Sequence, residues 1–226
     1  MIEIDGSQIM SKNVFVASGH IDNFSDPVIV CSKCKSIFRA DKFILETAGI
    51  DVPERVPNNE VDKILNQYNL KCPKCLSSFQ QTERFNMMFK VGIGPNNDEA
   101  YLRPETCQTI FVDFTRIFKI MRGKLPFPIA QVGKSFRNEV APRQSLLRLR
   151  EFYQAEIEVF CNPHQLDAIS KFDDIQDTTL IIDVGTKVSK LTAKEALDNQ
   201  IIPNKLIAYY LSILCEFYEK TGIDMN

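Results

Sequence analysis

Two apolar runs joined by a short polar segment, in the middle of the chain, are the feature that most limits how it can fold. The first run covers Gln131–Val140 and the second covers Leu147–Phe160. The segment between them contains Pro142, which cannot extend a strand and therefore belongs in a turn. Apolar and polar residues alternate with period two along the second run, which is typical of a strand. We therefore predict a β-hairpin with its turn at residues 141–145.

The polar side chains of this hairpin share faces. Arg137 and Glu139 lie two residues apart, so they point the same way from the first arm, as Gln154 and Glu156 do from the second. A guanidinium group matches two phosphate oxygens, a ring such as Phe152 can stack on a purine, and a carboxylate can hold an amine. Together these residues indicate a nucleotide site with a place for an ammonium group. The alternative is a surface hairpin with ordinary ion pairs, the commoner role for any one charged strand residue.

Five blocks of this sequence resemble the archaeal and eukaryotic type of glycyl-tRNA synthetase, a class II aminoacyl-tRNA synthetase. The hairpin is similar to motif 2 of that class, through F-R-N-E at 136–139, A-P-R at 141–143 and R-x-R-E-F-x-x-A-E-I-E at 148–158. The other blocks are S-G-H-x-D-N-F-x-D-P at 18–27, F-N-x-M-F-K at 85–90, Y-L-R-P-E-T at 101–106 and G-K-L-P-F at 123–127. Their order matches along nearly the whole chain, so chance is a poor explanation.

The resemblance implies activation of glycine with ATP to glycyl-adenylate, followed by transfer to tRNA(Gly). Arg137 would bind the α-phosphate and the amino-acid carboxylate. Glu139 would hold the amino edge of adenine or the end of the tRNA, and Arg148 would reach the outer phosphates. Phe152 would stack on adenine. ATP would be a substrate and would bring magnesium with it.

The resemblance also implies a glycine site in which Glu105 and Glu156 hold the ammonium group and Arg137 holds the carboxylate. A narrow pocket lined with carboxylates would exclude larger amino acids by steric clash. Each carboxylate has a structural alternative. Glu105 could stabilise the start of a helix, and Glu156 could form an ion pair with Arg103 or Arg137.

Other features of the family pattern differ or are missing. Cys107 and Thr109 replace family residues after the Arg-Pro-Glu-Thr block, and Ser145 stands where a glycine is expected in the motif 2 loop. No Gly-x-Gly-x-x-Arg segment of the motif 3 kind occurs in the 226 residues. The motif 1 helix, through which family members homodimerise, is also missing. We therefore expect weak ATP binding at best and no adenylate formation by these residues alone.

Several identities remain open at the sequence level. The chain could be an expressed fragment, a split-gene product, a proteolytic remnant or a truncated paralogue. Its function could also be non-catalytic, as a zinc-containing binding module on a synthetase fold. A synthetase of threonyl, prolyl or seryl specificity is a further alternative, and Glu105-Thr106 after the Arg-Pro pair favours glycine over it.

Four of the seven cysteines form two Cys-x-x-Cys pairs, Cys31/Cys34 and Cys72/Cys75. Two such knuckles can present four thiolates to one tetrahedral zinc, and we predict a structural zinc site there. Disulfides and a redox-active pair are the alternatives, and a reducing compartment argues against the disulfides. The remaining cysteines, Cys107, Cys161 and Cys215, are predicted to be small core or near-core residues.

Length and composition set the frame for the fold. The 226 residues carry a net charge of −2, so the chain as a whole shows no basic field for nucleic acid. No signal peptide or membrane-length apolar run is present, and we expect a cytoplasmic protein that does not enter membranes.

We predict an α+β fold with an antiparallel sheet flanked by helices. Its expected parts are the start of the catalytic core at 1–30, a Cys-rich insertion at 31–80, the core with the motif 2 hairpin at 81–162, and a second insertion with a helical end at 163–226.

Helical spacing of apolar residues predicts three helices, at 60–68, 104–121 and 204–220. Glu105 would then lie in the first turn of the second helix, with Gly123 as its C-terminal stop. Thr192 and Glu195 have the spacing of a capping box, so a further helix is predicted to begin there. The first thirty residues are expected to be strand, loop and strand.

Overall fold

The computed structural model describes residues 1–53, 55–140, 142, 147–185 and 187–223. The predicted turn at 141–145, including Ser145, lies outside the described residues except for Pro142. The chain divides into two compact units, one formed by Met1–Gly123 with Pro128–Glu158 and the other by Lys124–Phe127 with Val159–Asn226. The mixture of helices and small sheets confirms the α+β class, while the four-part division of the chain remains a prediction.

Eleven strands and seven α-helices are found in the described residues. The strands are β1 (Ile2–Ile4), β2 (Ile9–Ser11), β3 (Ser25–Val30), β4 (Ile37–Arg39), β5 (Glu83–Asn86), β6 (Lys90–Ile93), β7 (Asp98–Leu102), β8 (Phe127–Phe136), β9 (Glu151–Phe160), β10 (Thr179–Asp183) and β11 (Val188–Thr192). The helices are α1 (Lys12–Ala17), α2 (His20–Asn23), α3 (Ala40–Ala48), α4 (Asn58–Gln67), α5 (Cys107–Ile120), α6 (Ala193–Asp198) and α7 (Lys205–Lys220). Short 3-10 helices occur at Pro163–Gln165 and Ser170–Phe172.

The strands form four small sheets rather than the one antiparallel sheet expected. Their orders are β1-β8-β9, β2-β7-β6, β4-β3-β5 and β10-β11. One pairing is parallel: β1 runs alongside β8, with Ile2 opposite Ile129. A three-residue strand such as β1 carries too little sequence pattern to be recognised as a partner of β8.

The hairpin strands β8 and β9 are neighbours in one sheet, as predicted. Strand β8 is as long as the predicted first arm but begins four residues earlier, and β9 begins four residues later than the predicted second arm. Along β9, Phe152, Gln154, Glu156 and Glu158 are half-buried while the residues between them are exposed until Val159. The predicted period of two is therefore present, and the half-buried face is the one that carries Gln154, Glu156 and Glu158. Arg137 and Glu139 follow the end of β8, so they extend from the chain after the strand.

Helix α5 begins later than expected. Its first residue is Cys107 and its N-cap is Thr106, so Glu105 precedes the helix. At the other end, Arg122 takes the left-handed conformation (φ 47°), and the amide of Gly123 donates to the carbonyl of Phe118 at 2.8 Å. The left-handed residue that follows the helix is therefore Arg122, one residue before the predicted stop at Gly123.

The first thirty residues contain two helices that the strand-loop-strand expectation missed. Ser11 caps α1 by accepting from the amide of Asn13, and Phe15 on this helix is fully buried. Gly19 then takes φ 75°, a conformation that a residue without a Cβ adopts at little cost, and α2 starts at His20. The tight turn places the side chain of His20 close to the start of α5.

The Cys-rich region has its own apolar core between β3, α3 and α4. The buried members of this core are Ile29, Ala40, Phe43, Ile44, Val52, Val61 and Leu65. The rings of Phe38, Phe43 and Phe79 pack against one another at centroid distances of 5.1–5.9 Å. This packing fixes the segments from which the two cysteine knuckles extend.

The second unit contains the β10-β11 hairpin, α6 and α7 around Phe172, Leu180 and Ala196. The capping box predicted at Thr192 and Glu195 is confirmed: both of its hydrogen bonds are present. Among the described residues, none of the helices is long and apolar enough to span a membrane.

Candidate functional site

Arg137 lies between two aromatic rings. Its guanidinium carbon is 5.3 Å from the ring centroid of Phe24, after α2, and 5.3 Å from that of Phe152, on β9. Its Nε donates to the carbonyl of Pro104 at 3.3 Å. Flat contacts on both sides hold the guanidinium plane in one orientation. Part of its edge remains accessible, because 30 % of the side chain is exposed.

Glu105 connects this guanidinium to α2. Its Oε1 lies 3.8 Å from Nη2 of Arg137, whereas its Oε2 lies 3.3 Å from Nε2 of His20. The amide of Gln108 also donates to Oε2, at 3.1 Å. The hydrogen bond from His20 is the main cause that lowers the pKa of Glu105 to about 2, so the carboxylate is ionised at neutral pH.

A cavity of about 670 Å³ opens beside these side chains. His20, Glu105 and Gln108 line one part of it, and apolar residues including Phe111 and Val112 line another. Apolar walls strengthen the hydrogen bonds that the polar groups make with one another. Arg137, Phe152 and Glu156 are not among the residues that line this cavity, so the narrow glycine pocket expected from the sequence remains a prediction.

Glu156 is tied to the start of α5. Its Oε2 accepts hydrogen bonds from both the amide, at 2.7 Å, and the hydroxyl of Thr106. A negative charge is stabilised at this position because the helix dipole places partial positive charge at its N-terminus. The hydrogen bonds to Thr106 replace the ion pair with Arg103 or Arg137 that we considered from the sequence.

Glu139 and Arg148 lie farther along the hairpin. Nε of Arg148 is 4.0 Å from Oε2 of Glu139, whose side chain is 12 % exposed. That buried oxygen has no hydrogen-bond donor among the described residues. The backbone of Glu139 is held instead by Arg150, whose Nη2 donates to its carbonyl at 3.1 Å.

Arg103 organises the backbone beneath the site. The side chain is fully buried, and its Nε and Nη1 donate to the carbonyls of Lys134 (2.8 Å) and Gly6 (3.0 Å). Its own carbonyl accepts from the amide of Phe136 at 3.0 Å. Arg103 therefore links β7 and β8 directly before Pro104 and Glu105.

The structure brings Glu105, Arg137 and Phe152 into contact around one space, and it ties Glu156 to Thr106, the residue after Glu105. Sequence reasoning did not include Phe24, Thr106 or His20 among the candidate site residues. Phe24 lies within the S-G-H-x-D-N-F block, which was the one available signal for it.

The four cysteine sulfurs form a compact cluster in the same unit. Sγ of Cys31 is 3.4 Å from Sγ of Cys75, Cys34 is 3.6 Å from Cys72, and all four lie within 4.8 Å of one another. All seven cysteines of the chain are free thiols, which contradicts the disulfide alternative.

The two knuckles have the same backbone design. In each, the residue after the second cysteine has a left-handed conformation, with φ 58° at Lys35 and 59° at Leu76. Its amide donates to the carbonyl of the first cysteine, at 3.2 Å and 2.8 Å. The amide of Ser32 donates to the carbonyl of Ser78 at 3.0 Å and joins one knuckle to the other.

Comparison with known proteins gives the family context. Residues 89–183 match the tRNA synthetase class II core domain (G, H, P, S and T). Glycine–tRNA ligase of Pyrococcus furiosus is 43 % identical over 98 % of this chain and 40 % of its own length. The ligases of Pyrococcus abyssi and Methanocaldococcus jannaschii are 43 % and 39 % identical, over 40 % and 41 % of their lengths.

A solved structure of the RNA-binding domain of threonyl-tRNA synthetase from Cryptosporidium parvum Iowa II covers 79 % of this chain and 28 % of its own. With a TM-score of 0.39 and 17 % identity, the similarity is too low to support an argument. The chain spans about two fifths of the length of its archaeal relatives, at 38–43 % identity. Over 98 % of its length this chain is thus similar to glycine–tRNA ligase, and its residues 89–183 match the tRNA synthetase class II core domain.

Proposed function

We propose that this chain provides the glycine-binding and ATP-binding residues of a glycine–tRNA ligase. The observation that supports this best is the arrangement of Arg137, which is held between two rings and faces the ionised carboxylate of Glu105 at 3.8 Å. A fixed guanidinium beside an anchored carboxylate suits a substrate that carries both an anion and an amine. The 43 % identity to glycine–tRNA ligase of Pyrococcus furiosus supports glycine as that substrate.

In this proposal Arg137 binds the glycine carboxylate and the α-phosphate of ATP. Attack of the carboxylate oxygen on the α-phosphorus forms the mixed anhydride and expels pyrophosphate. Negative charge builds up on the phosphate oxygens during this step, and a guanidinium that is already oriented stabilises it without rearrangement. The rings of Phe24 and Phe152 supply that orientation.

The ammonium group of glycine would be held by Glu105 and Glu156. Each carboxylate has one oxygen that accepts hydrogen bonds from protein groups, which are His20 and Gln108 for the first and Thr106 for the second. The other oxygen of each remains for the substrate. An ionised carboxylate is a strong acceptor for an ammonium group.

The remaining assignments concern ATP. Glu139 would accept from the exocyclic amine of adenine, which fits the lack of a described hydrogen-bond donor at its buried Oε2. Arg148 would approach the outer phosphates and Phe152 would stack on the adenine ring. Magnesium, when bound with ATP, would neutralise phosphate charge, and tRNA(Gly) would receive the glycyl group in the second reaction.

Glycine binding tests this proposal directly. Isothermal titration of the chain with glycine should give a saturable signal, whereas L-alanine should bind at least tenfold more weakly. Glu105→Gln removes the charge that pairs with the ammonium group and should lower glycine affinity by about tenfold or more, since tenfold corresponds to 1.4 kcal/mol.

A matched control is Glu151→Gln, because Glu151 lies on the exposed face of β9 and pairs with Lys134. This variant should keep its glycine affinity within twofold. Absence of glycine binding by the unmodified chain, or equal effects of the two substitutions, would refute the proposal and favour the non-catalytic binding module. Glycine-dependent pyrophosphate exchange by this chain would overturn our separate expectation that these residues alone form no adenylate.

We also propose that the four clustered cysteines hold one structural zinc ion. Tetrahedral zinc with Zn–S bonds of about 2.3 Å places its sulfurs about 3.8 Å apart. The sulfur separations of 3.4 Å and 3.6 Å, within a cluster no wider than 4.8 Å, fit that geometry. Bound zinc would close the knuckles across the insertion core and thereby stabilise it.

Metal analysis of the purified chain should find about one zinc per molecule. Cys34→Ser should lower the zinc content and the unfolding temperature, since a structural zinc contributes directly to folding. Cys161→Ser is the control, because Cys161 lies outside the cluster. A chain without metal after gentle purification, or equal loss from both variants, would contradict the zinc site.

A further inference from the structure

The imidazole of His20 is held more firmly than a surface histidine. Gly19 provides the left-handed turn before it, and the side-chain amide of Asn86 donates to the carbonyl of Ile21 at 2.7 Å, which anchors α2. The ring packs against Phe15 at 6.0 Å and against Phe24 at 5.4 Å. Its side chain is only 14 % exposed, so few other orientations are open to it.

Both ring nitrogens of His20 have partners. Nδ1 lies 2.9 Å from the hydroxyl of Ser18, and Nε2 lies 3.3 Å from Oε2 of Glu105. In the neutral tautomer with the proton on Nε2, the ring donates to the carboxylate and accepts from Ser18. The hydroxyl of Ser18 can supply the proton for its hydrogen bond to Nδ1, so it accommodates the tautomer that donates to Glu105.

The consequence is an asymmetric carboxylate. Oε2 of Glu105 receives donors from His20 and Gln108, while Oε1 faces Nη2 of Arg137. The two donors at Oε2 restrict rotation of the carboxylate group, so Oε1 keeps its direction toward Arg137. Gln108 is 5 % exposed, and its own Oε1 has no described hydrogen-bond partner. It is therefore a further acceptor beside the same group.

We propose that His20, with Ser18 behind it, is a positioning residue that fixes Glu105 so that Oε1 meets the substrate amine. This inference rests on the proposed function, because the amine is that of glycine. Arg137 and His20 both pack against the ring of Phe24, at 5.3 Å and 5.4 Å. The residues proposed to surround the carboxylate and the amine of the substrate are therefore packed together.

Two substitutions of His20 separate positioning from simple packing. His20→Gln keeps a donor near the place of Nε2, whereas His20→Leu keeps bulk and removes the donor. We expect His20→Leu to weaken glycine binding about tenfold and His20→Gln to restore it to within about threefold of the unmodified chain. Ser18→Ala leaves the ring in place and should weaken binding about threefold, through loss of the hydrogen bond at Nδ1 of His20.

A second measurement does not depend on glycine. The carboxyl carbon of Glu105 can be titrated by NMR in ¹³C-glutamate-labelled chain, with Glu105→Gln to assign the signal. The midpoint should lie at about 2 in the unmodified chain, because of the hydrogen bond from His20. It should rise in His20→Leu and stay low in His20→Gln.

The two measurements distinguish the possible failures. A Glu105 midpoint unchanged in His20→Leu would overturn the inference, whatever the glycine result. So would glycine affinities that fall equally in His20→Leu and His20→Gln, since lost packing would then be the cause. If the unmodified chain binds no glycine, the proposed function is refuted, and the positioning of a substrate amine falls with it. The carboxyl titration would still show whether His20 holds Glu105.

Discussion

Replacing the buried Arg103 should disturb both the stability of the chain and the geometry of the site. Its guanidinium is fully buried and donates to the carbonyls of Lys134 and Gly6. Gly133 lies against it so closely that a Cβ on this residue would stand 2.4 Å from Nη2 of Arg103. The two positions are therefore coupled, and Arg103→Met with Gly133→Ala forms a double-mutant cycle.

The structure sets the size of each effect. Arg103→Met removes the donors to these two carbonyls, and a carbonyl that is left buried without a donor costs about 1–3 kcal/mol. The buried charge of Arg103 carries a desolvation penalty, which is also the main cause that lowers its pKa. The substitution removes this penalty, so part of the lost free energy of unfolding is recovered. We expect a net loss of about 3 kcal/mol. Gly133→Ala forces overpacking against the guanidinium and should cost about 1–3 kcal/mol.

Urea unfolding of the four proteins of the cycle gives the free energy of unfolding of each. Because the Arg103→Met substitution removes the guanidinium that would meet the new methyl group, the double mutant should be more stable than the sum of the single effects by about 1–2 kcal/mol. Arg116→Met, at a side chain 74 % exposed, is the control and should change stability by no more than about 0.5 kcal/mol. Strict additivity, or a loss below about 1 kcal/mol for Arg103→Met, would refute the reasoning.

Three further predictions concern local features. Leu76→Gly should stabilise the chain by about 1 kcal/mol in urea unfolding, because Leu76 is 77 % exposed yet has φ 59°; a loss of stability would contradict the strain argument. Thr192→Ala should lose about 1 kcal/mol by removing the capping box of α6, and an unchanged unfolding midpoint would argue against that contribution. The pKa of Glu105 is lowered to about 2, so its ionised form stabilises the fold above pH 4.5 and that stabilisation is lost as the pH falls toward 2. The stability difference between the unmodified chain and Glu105→Gln should accordingly shrink by about 1–2 kcal/mol between pH 6 and pH 2, and a constant difference would disprove the shift.

Local patterns predicted the elements that depend on neighbouring residues. The period of two predicted the strand β9, and the helical spacing after Asn204 predicted α7, whose first turn is capped by that residue. The capping box of α6 was readable because Thr192 and Glu195 are only three residues apart. In each case the stabilising contacts lie within one turn or one strand, so the sequence contains them directly.

Contacts between distant segments could not be read in the same way. Thr106 and Glu156 are fifty residues apart, and His20 and Glu105 are eighty-five apart, yet both pairs are in contact. The strands β1 and β8, which pair with each other, are likewise far apart in the sequence. Helix α1 was missed for another reason: its six residues bury only Phe15, which leaves no helical period to detect.

The charge balance of the site favours an amine as its ligand. Glu105 and Glu156 lie beside the same helix start, and Glu158 follows on the same face of β9, where burial and then Glu156 raise its pKa. Cys107 responds to the same excess of negative charge. Burial, and then Glu156, Glu105 and Glu158, raise the pKa of its thiol to about 12, so the thiol stays neutral.

Arg137 is the guanidinium that faces Glu105, and its contact at 3.8 Å leaves the carboxylates only partly compensated. A ligand with one positive group would complete the balance, whereas a purely anionic ligand would add to the repulsion around Glu105 and Glu156. An amino acid suits both ends of this arrangement, since its carboxylate can reach Arg137 while its ammonium group meets the acids. The electrostatics of these few side chains therefore fit the proposed amino-acid ligand better than a purely anionic one.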